Sequence, residues 1–258
     1  MYLVFPDVAT IADFVADALA SQVRARPESV LGLATGGTME PVYARFLERV
    51  RQTRLDVSRL RSFNLDEYIG LTPDHPQSYA AYMKQHLFDV LGFDPLRHHL
   101  PDGCAPDEDG YCRHYSSAIY QAGGIDLQLL GVGRNGHIGF NEPGTAFDST
   151  THVVSLDERT RIDNSRFFAE GELVPGRAIT MGLRDIMSAR EILLVATGAA
   201  KAPTLAAFHR SGVTPELPFS VLKQHPRVRI VLDAEAARLL PAQACQPMVQ
   251  AVLPARSA

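Results

Sequence analysis

The chain has 258 residues, 46% hydrophobic and 21% charged, with a formal charge of −4 and a pI near 6.1. This suits one large globular domain with a substantial core, and it excludes the strongly basic footprint of a nucleic-acid-binding surface. No run of 18 apolar residues that could span a membrane occurs, and the opening MYLVFPDVAT lacks the basic and apolar regions of a secretory signal. Cys104, Cys112 and Cys245 form no Cys-x-x-Cys pair, so free thiols in a reducing cytoplasm are expected.

Taken in chain order, strand and helix patterns alternate. YLVF reads as a short strand, and residues 8–23 follow with Ile11, Val15, Leu19 and Val23 at helical spacing, Asp7 being placed to cap them. SVLGLAT is a buried strand, and a helix over 39–52 carries Val42, Phe46, Leu47 and Val50 on one stripe. RLRSFNLDEY reads as a third strand ending in the carboxylate pair Asp66-Glu67. Helices over 77–91 and 108–121 flank GFDPLRHHLPDGCAPDEDG, a Pro- and Asp-rich stretch that reads as loop. The strand IDLQLLG comes next, then the short strand THVVSL and a polar helical stretch over 157–169. RAITMGL turns from strand to helix. EILLVAT is a buried strand before a helix over 199–209, and RVRIVLD closes the series before a last helix near Ala234. Continuous apolar strands alternating with helices predict an α/β fold. The expectation is a single doubly wound domain over 1–258, its mainly parallel sheet covered by helices on both faces.

In such sheets ligands bind beyond the carboxyl ends of the strands, so the residues just after each strand matter most. The stretch LLGVGRNGHIGFNEPG spells Gly131-x-Gly133-x-x-Gly136, the dinucleotide fingerprint, directly after a strand. Gly139, Pro143 and Gly144 follow too closely for the helix that the fingerprint requires. What the loop offers instead is His137 and Glu142, and an imidazole oriented by a carboxylate is a competent proton shuttle near neutral pH. After the second strand, Gly36, Gly37 and Thr38 form a glycine-rich turn into a helix, suited to a phosphate but lacking the lysine of a Walker loop. Asp66 ends the third strand, where a carboxylate can serve as base for a carbon-bound proton. Arg166 and Lys201 supply the cations that a phosphoryl group needs. The nine histidines show no metal-binding spacing and there is no nucleophile elbow. These features point to acid–base chemistry on a small anionic molecule, with neither metal nor cofactor.

The motifs TGGT, FNLDEYIGL, GVGRNGHIGFNEPGT and NSRFF, with the lysine of ATGAAKAPTL, occur in family order over nearly the whole chain. Together they resemble the glucosamine-6-phosphate deaminases, also called glucosamine-6-phosphate isomerases. The resemblance implies conversion of glucosamine 6-phosphate and water to fructose 6-phosphate and ammonia. It implies that His137 moves the ring proton, oriented by Glu142 and assisted by Asn135, and that Asp66 carries the C2 proton to C1. It further implies that Arg166, Lys201 and the turn of Gly36, Gly37 and Thr38 hold the phosphate, and that residues 157–169 form part of a lid. A monomer or small homo-oligomer is expected.

Two departures stand out. Asn135 occupies a position that is aspartate in the allosteric branch of the family, and His152 and Val154 stand where that branch has two cations for an N-acetylated activator. Weak or absent activation is therefore expected. The rival readings are a 6-phosphogluconolactonase and a non-catalytic sugar-phosphate sensor. Lactonases typically show DER and GHTASLFPG where this chain has Asp66-Glu67-Tyr68 and GHIGFNEPG. Sensors usually carry a DNA-binding segment, for which there is no room before the first strand, and they tend to lose the carboxylate and histidine retained here.

Overall fold

The computed structural model describes residues 2–248; Met1 and residues 249–258, the two ends of the expected domain, lie outside the described residues. Strand β1 (Tyr2–Phe5) leads to helix α1 (Val8–Ala25), whose first turn is fixed where the sequence places it: Asp7 accepts the Thr10 N–H at 2.7 Å. Next come β2 (Val30–Leu33), α2 (Glu40–Thr53), β3 (Arg61–Asn64) and β4 (Asp66–Tyr68). Helical segments α3 (Tyr79–Met83) and α4 (Asp89–Leu91) precede β5 (His98–His99), α5 (Glu108–Gln121) and β6 (Leu127–Leu130). The second half holds β7 (His152–Ser155), α6 (Glu158–Ser165), β8 (Arg177–Thr180), α7 (Leu183–Met187) and β9 (Ile192–Ala196). It ends with α8 (Ala202–Arg210), β10 (Val228–Asp233), α9 (Ala234–Ala237) and β11 (Cys245–Pro247).

Eight strands pair in the order β11-β1-β10-β9-β6-β2-β3-β5, every contact parallel. All residues of β2, β6 and β9 are buried, so both faces of the sheet centre are covered, as their apolar runs, broken only by the buried Gln128 in β6, require. From β2 the chain winds outward to β3 and β5; from β6 it winds the other way, to β9 and β10. The switch point therefore lies between the neighbours β2 and β6, and their carboxyl ends open a crevice between the two windings. The expected α/β, doubly wound fold is the one observed.

The structure corrects four details. RLRSFNLDEY is two strands: β3 stays in the parallel sheet, but after Leu65 the chain leaves it, and Asp66 pairs antiparallel with Thr180. A second, three-stranded sheet of order β4-β8-β7 results, and it also takes THVVSL and RAIT. Continuous burial conceals this change of partner, because every residue from Ser62 to Tyr68 is buried across the break. The expected helix over 77–91 begins at Tyr79, where Ser78 caps it by accepting the Ala81 N–H, and a π-helical turn at Lys84–Phe88 interrupts it. The stretch read as loop contributes the two-residue edge strand β5, paired with Ser62 and Phe63. The polar helix over 157–169 is shorter, Glu158–Ser165, with Asp157 as its cap.

Candidate active site

A cavity of about 660 Å³ opens at the switch point. Gly36, Gly37 and Thr38 line it from the end of β2, His137 from the loop after β6, and Lys201 from the turn after β9. Asp66 enters from the second sheet and Arg166 from the end of α6. Seven residues singled out in the sequence thus share one cavity. Asn135 and Glu142 do not line it; they stand behind His137.

The glycine turn is built by a left-handed residue. Gly36 has φ +107°, and its carbonyl accepts the Met39 N–H at 2.8 Å and the Tyr82 hydroxyl at 3.0 Å. The turn delivers the chain to α2, whose N-terminus has no side-chain cap. Free N–H groups at a helix start favour an anion.

Asp66 is buried at the start of β4. Burial, reinforced by the charge of Glu67, pushes its carboxyl up to about 8. Among the described residues nothing donates a hydrogen bond to this carboxylate. Its neighbour differs: Glu67 accepts the backbone N–H groups of Tyr68, Tyr79 and Ala80 at 2.8, 3.0 and 2.9 Å. Burial raises Glu67 to about 7 against the opposing pull of those three donors. Glu67 fastens β4 to α3, and Asp66 is left facing the cavity.

The loop after β6 uses its glycines for proximity. A Cβ on Gly133 would stand 2.2 Å from the His137 ring, so glycine lets the imidazole lie against the backbone. At Gly139 (φ +57°) a Cβ would approach Thr180 Oγ1 to 2.9 Å and Asp66 Oδ2 to 3.5 Å. The loop is therefore pressed against the strand that carries Asp66. No helix follows Gly136; Ile138 and Asn141 instead form an isolated bridge, which removes the structural basis of the dinucleotide reading.

Glu142 Oε2 lies 3.5 Å from His137 Nδ1, an ion-pair separation long for a hydrogen bond. The carboxylate is held by other donors: Asn135 Nδ2 and Thr160 Oγ1, each at 2.7 Å. Burial works against ionisation of Glu142, but His137, Thr160 and Asn135 outweigh it and hold its pKa below the usual value. The assistance from Asn135 is indirect. Its amide nitrogen binds Glu142 and its oxygen accepts the His137 backbone N–H at 3.2 Å, so it positions the pair and does not touch the ring by a hydrogen bond.

The cations line the same cavity as His137. Burial lowers the Lys201 ammonium below the usual value, and Arg166 and Arg134 add to that while Asp163 opposes it. The Arg166 guanidinium stacks 4.7 Å over Phe167 and has no ion-pair partner among the described residues. Arg134 and Asp163 line the cavity as well, and the sequence reading missed both, together with Thr160. Arg134 had a signal, as a cation between Gly133 and Asn135 in a loop already singled out. Thr160 and Asp163 had none, because polar side chains on a short, half-exposed helix carry no pattern. Tyr68 joins β4 to α6: its hydroxyl accepts from Asn164 Nδ2 at 2.8 Å and from the Tyr79 hydroxyl at 3.3 Å. Of the positions compared with the allosteric branch, His152 Nδ1 lies 2.7 Å from the Thr150 carbonyl, and Val154 packs beside the buried cluster that includes Tyr68 and Phe140. Neither supplies a cation to the cavity.

The profile of the family described as glucosamine-6-phosphate isomerases/6-phosphogluconolactonase matches residues 8–230. The chain belongs to this family. It is 52% identical over 237 residues to a glucosamine-6-phosphate deaminase of Rhodopirellula baltica, covering 92% of this chain and 94% of the relative. A second relative of the same name, from Geobacillus sp. strain WCH70, is 50% identical over 226 residues, 88% of this chain and 90% of its own length. A solved structure of a monomeric glucosamine-6-phosphate deaminase superposes with a TM-score of 0.89 at 40% identity, covering 93% of this chain and 100% of the other. Within the family, then, the chain is placed among the deaminases.

Proposed function

We infer that this protein is a glucosamine-6-phosphate deaminase, an enzyme that converts glucosamine 6-phosphate and water to fructose 6-phosphate and ammonia. The observation that carries the reading is one cavity lined by a buried Asp66 of raised pKa, by His137 with Glu142 behind it, and by Lys201 with the cations around it. The phosphate is held by Arg166, Lys201 and the turn of Gly36, Gly37 and Thr38. His137 takes the proton from the O1 hydroxyl and delivers it to the ring oxygen, opening the sugar, while Glu142 stabilises the imidazolium. Asn135 keeps Glu142 in place.

In the open chain, Asp66 removes the proton from C2 as the carbonyl oxygen at C1 gains the one that the substrate's ammonium group gives up, which leaves an enolamine. Asp66 then returns its proton to C1, and C2 becomes an iminium. Water adds to C2 and ammonia leaves, giving the ketose. A base that accepts and gives back one proton works best when its pKa lies near the working pH, and burial brings the Asp66 carboxyl to that range. The steps use side chains of this chain and water. We place the activity in the cytoplasm, carried by one domain acting as a monomer or small homo-oligomer; no helix among the described residues is long and apolar enough to cross a membrane.

The test is ammonia release from glucosamine 6-phosphate, with fructose 6-phosphate followed by a coupled assay. Equal amounts of both products are expected, and hydrolysis of 6-phosphogluconolactone without ammonia would overturn the reading. Adding N-acetylglucosamine 6-phosphate is expected to leave the half-saturating substrate concentration unchanged.

A further inference from the structure

Arg134 is absent from every role assigned so far, yet it lines the cavity with Arg166 and Lys201. Its backbone is fixed independently of its side chain, since the Arg134 carbonyl accepts the Thr204 hydroxyl at 2.6 Å. The guanidinium meets one carboxylate, Asp163, and only through Nε, at 3.4 Å. An arginine committed to a structural ion pair presents its fork to both carboxylate oxygens at shorter range. Here both terminal nitrogens remain available among the described residues.

Asp163 stands three residues before Arg166, so the two share a face at the end of α6. The charges acting on Lys201 are thus two arginines and one carboxylate. With the lysine itself they leave a surplus of two positive charges, which matches a phosphate monoester dianion. We propose that Arg134 is a third cation of the phosphate subsite, engaged by Asp163 while the cavity is empty and transferred to the phosphate when substrate enters. The assignment rests on the reading of the cavity as a sugar-phosphate site. It makes Asp163 an internal competitor of the substrate phosphate. It also gives α6 a reason to respond to that phosphate, because the helix carries both Asp163 and the adjoining Arg166.

The experiment is titration with inorganic phosphate at pH 7.5, by calorimetry and as an inhibitor of turnover, on the full chain and three variants. Arg134→Gln is expected to raise both the phosphate dissociation constant and the KM for glucosamine 6-phosphate about tenfold, with kcat changed less than about threefold. Arg134→Lys should recover part of both, since it keeps the charge and loses the fork. Asp163→Asn should tighten phosphate binding a few-fold by releasing Arg134. Phosphate affinity unchanged in Arg134→Gln would overturn the assignment, and affinity unchanged or weakened in Asp163→Asn would overturn the exchange. Calorimetry needs no turnover: loss of phosphate affinity in Arg134→Gln, in a protein that releases no ammonia, would remove the deaminase reading and leave Arg134 in place. Normal turnover with phosphate affinity untouched by Arg134→Gln would do the reverse.

Discussion

Two buried carboxylates of one site, Asp66 lining the cavity and Glu142 behind His137, end with opposite pKa shifts although burial raises both. Asp66, at the start of β4, is raised to about 8, whereas Glu142, in the loop after β6, is held below its usual value. Depth does not separate them, for both are less than a tenth exposed. Donors do. Glu142 receives hydrogen bonds from Asn135 and Thr160 and faces His137, while Asp66 receives none among the described residues and has Glu67 beside it. A carboxyl deprived of donors keeps its proton and can trade one with carbon; a carboxylate supplied with donors stays charged and can steady an imidazolium.

The contrast is broken most severely at the base. Asp66→Asn should lower kcat/KM by about 10³-fold or more, read by ammonia release. The same change should act on stability with the opposite sign. The folded-state pKa of Asp66 lies near 8 and its ordinary value is 3.8, so the folded protein holds a proton that the unfolded chain has already lost between those limits. Stability therefore falls as the pH rises through that window, and the loss is complete above about pH 8. Asp66→Asn removes the penalty. Thermal unfolding should show the variant about 2–4 kcal/mol more stable than the parent at pH 8.5, with the difference shrinking as the pH falls and closing below about pH 3.8. An activity loss without this pH-dependent gain would mean that Asp66 is ionised throughout.

Glu142→Gln should cost about 10²-fold in kcat/KM, since Gln keeps a side-chain amide beside His137 but no charge. Its stability effect runs the other way. A carboxyl held low in the folded state contributes stability above its ordinary pKa, and that contribution is lost as the pH falls through the folded value. Glu142→Gln should thus unfold more easily than the parent at neutral pH, and the difference should close in acid.

The smallest effect sharpens the comparison from the side of Asp66. Glu67→Gln removes the charge that adds to burial in raising Asp66. The rising limb of kcat/KM against pH, which reports ionisation of the base in the free enzyme, should move toward acid. The plateau at high pH should change less than about threefold. A limb that stays in place would assign the raised value to burial alone.

Much of this was legible because local rules and tertiary demands agree. Strands buried on both faces are apolar almost throughout, so VLGL, LQLL with its one buried glutamine, and ILLVA stand out at the sheet centre. Asp7 marks the start of α1 because the first N–H groups of a helix need an acceptor. The active-site loops were visible through their glycines, each required where backbone approaches a side chain or turns left-handed, as at Gly133 and Gly36. Edge strands were not visible: β5 has two residues and β11 three, too few to show a period. The second sheet was hidden because antiparallel pairing of Asp66 with Thr180 depends on a partner 114 residues away.

By itself, then, the sequence determined a doubly wound α/β fold, the strand-end loops, and the side chains on them. Tertiary structure decided what each of them is. Two carboxylates with the same chemistry came to hold a raised and a lowered pKa, and Arg134 came to line the cavity beside Lys201, because the donors and charges facing a group come from distant segments. Desolvation and hydrogen bonding act over a few ångströms in space, and spacing along the chain does not record those distances.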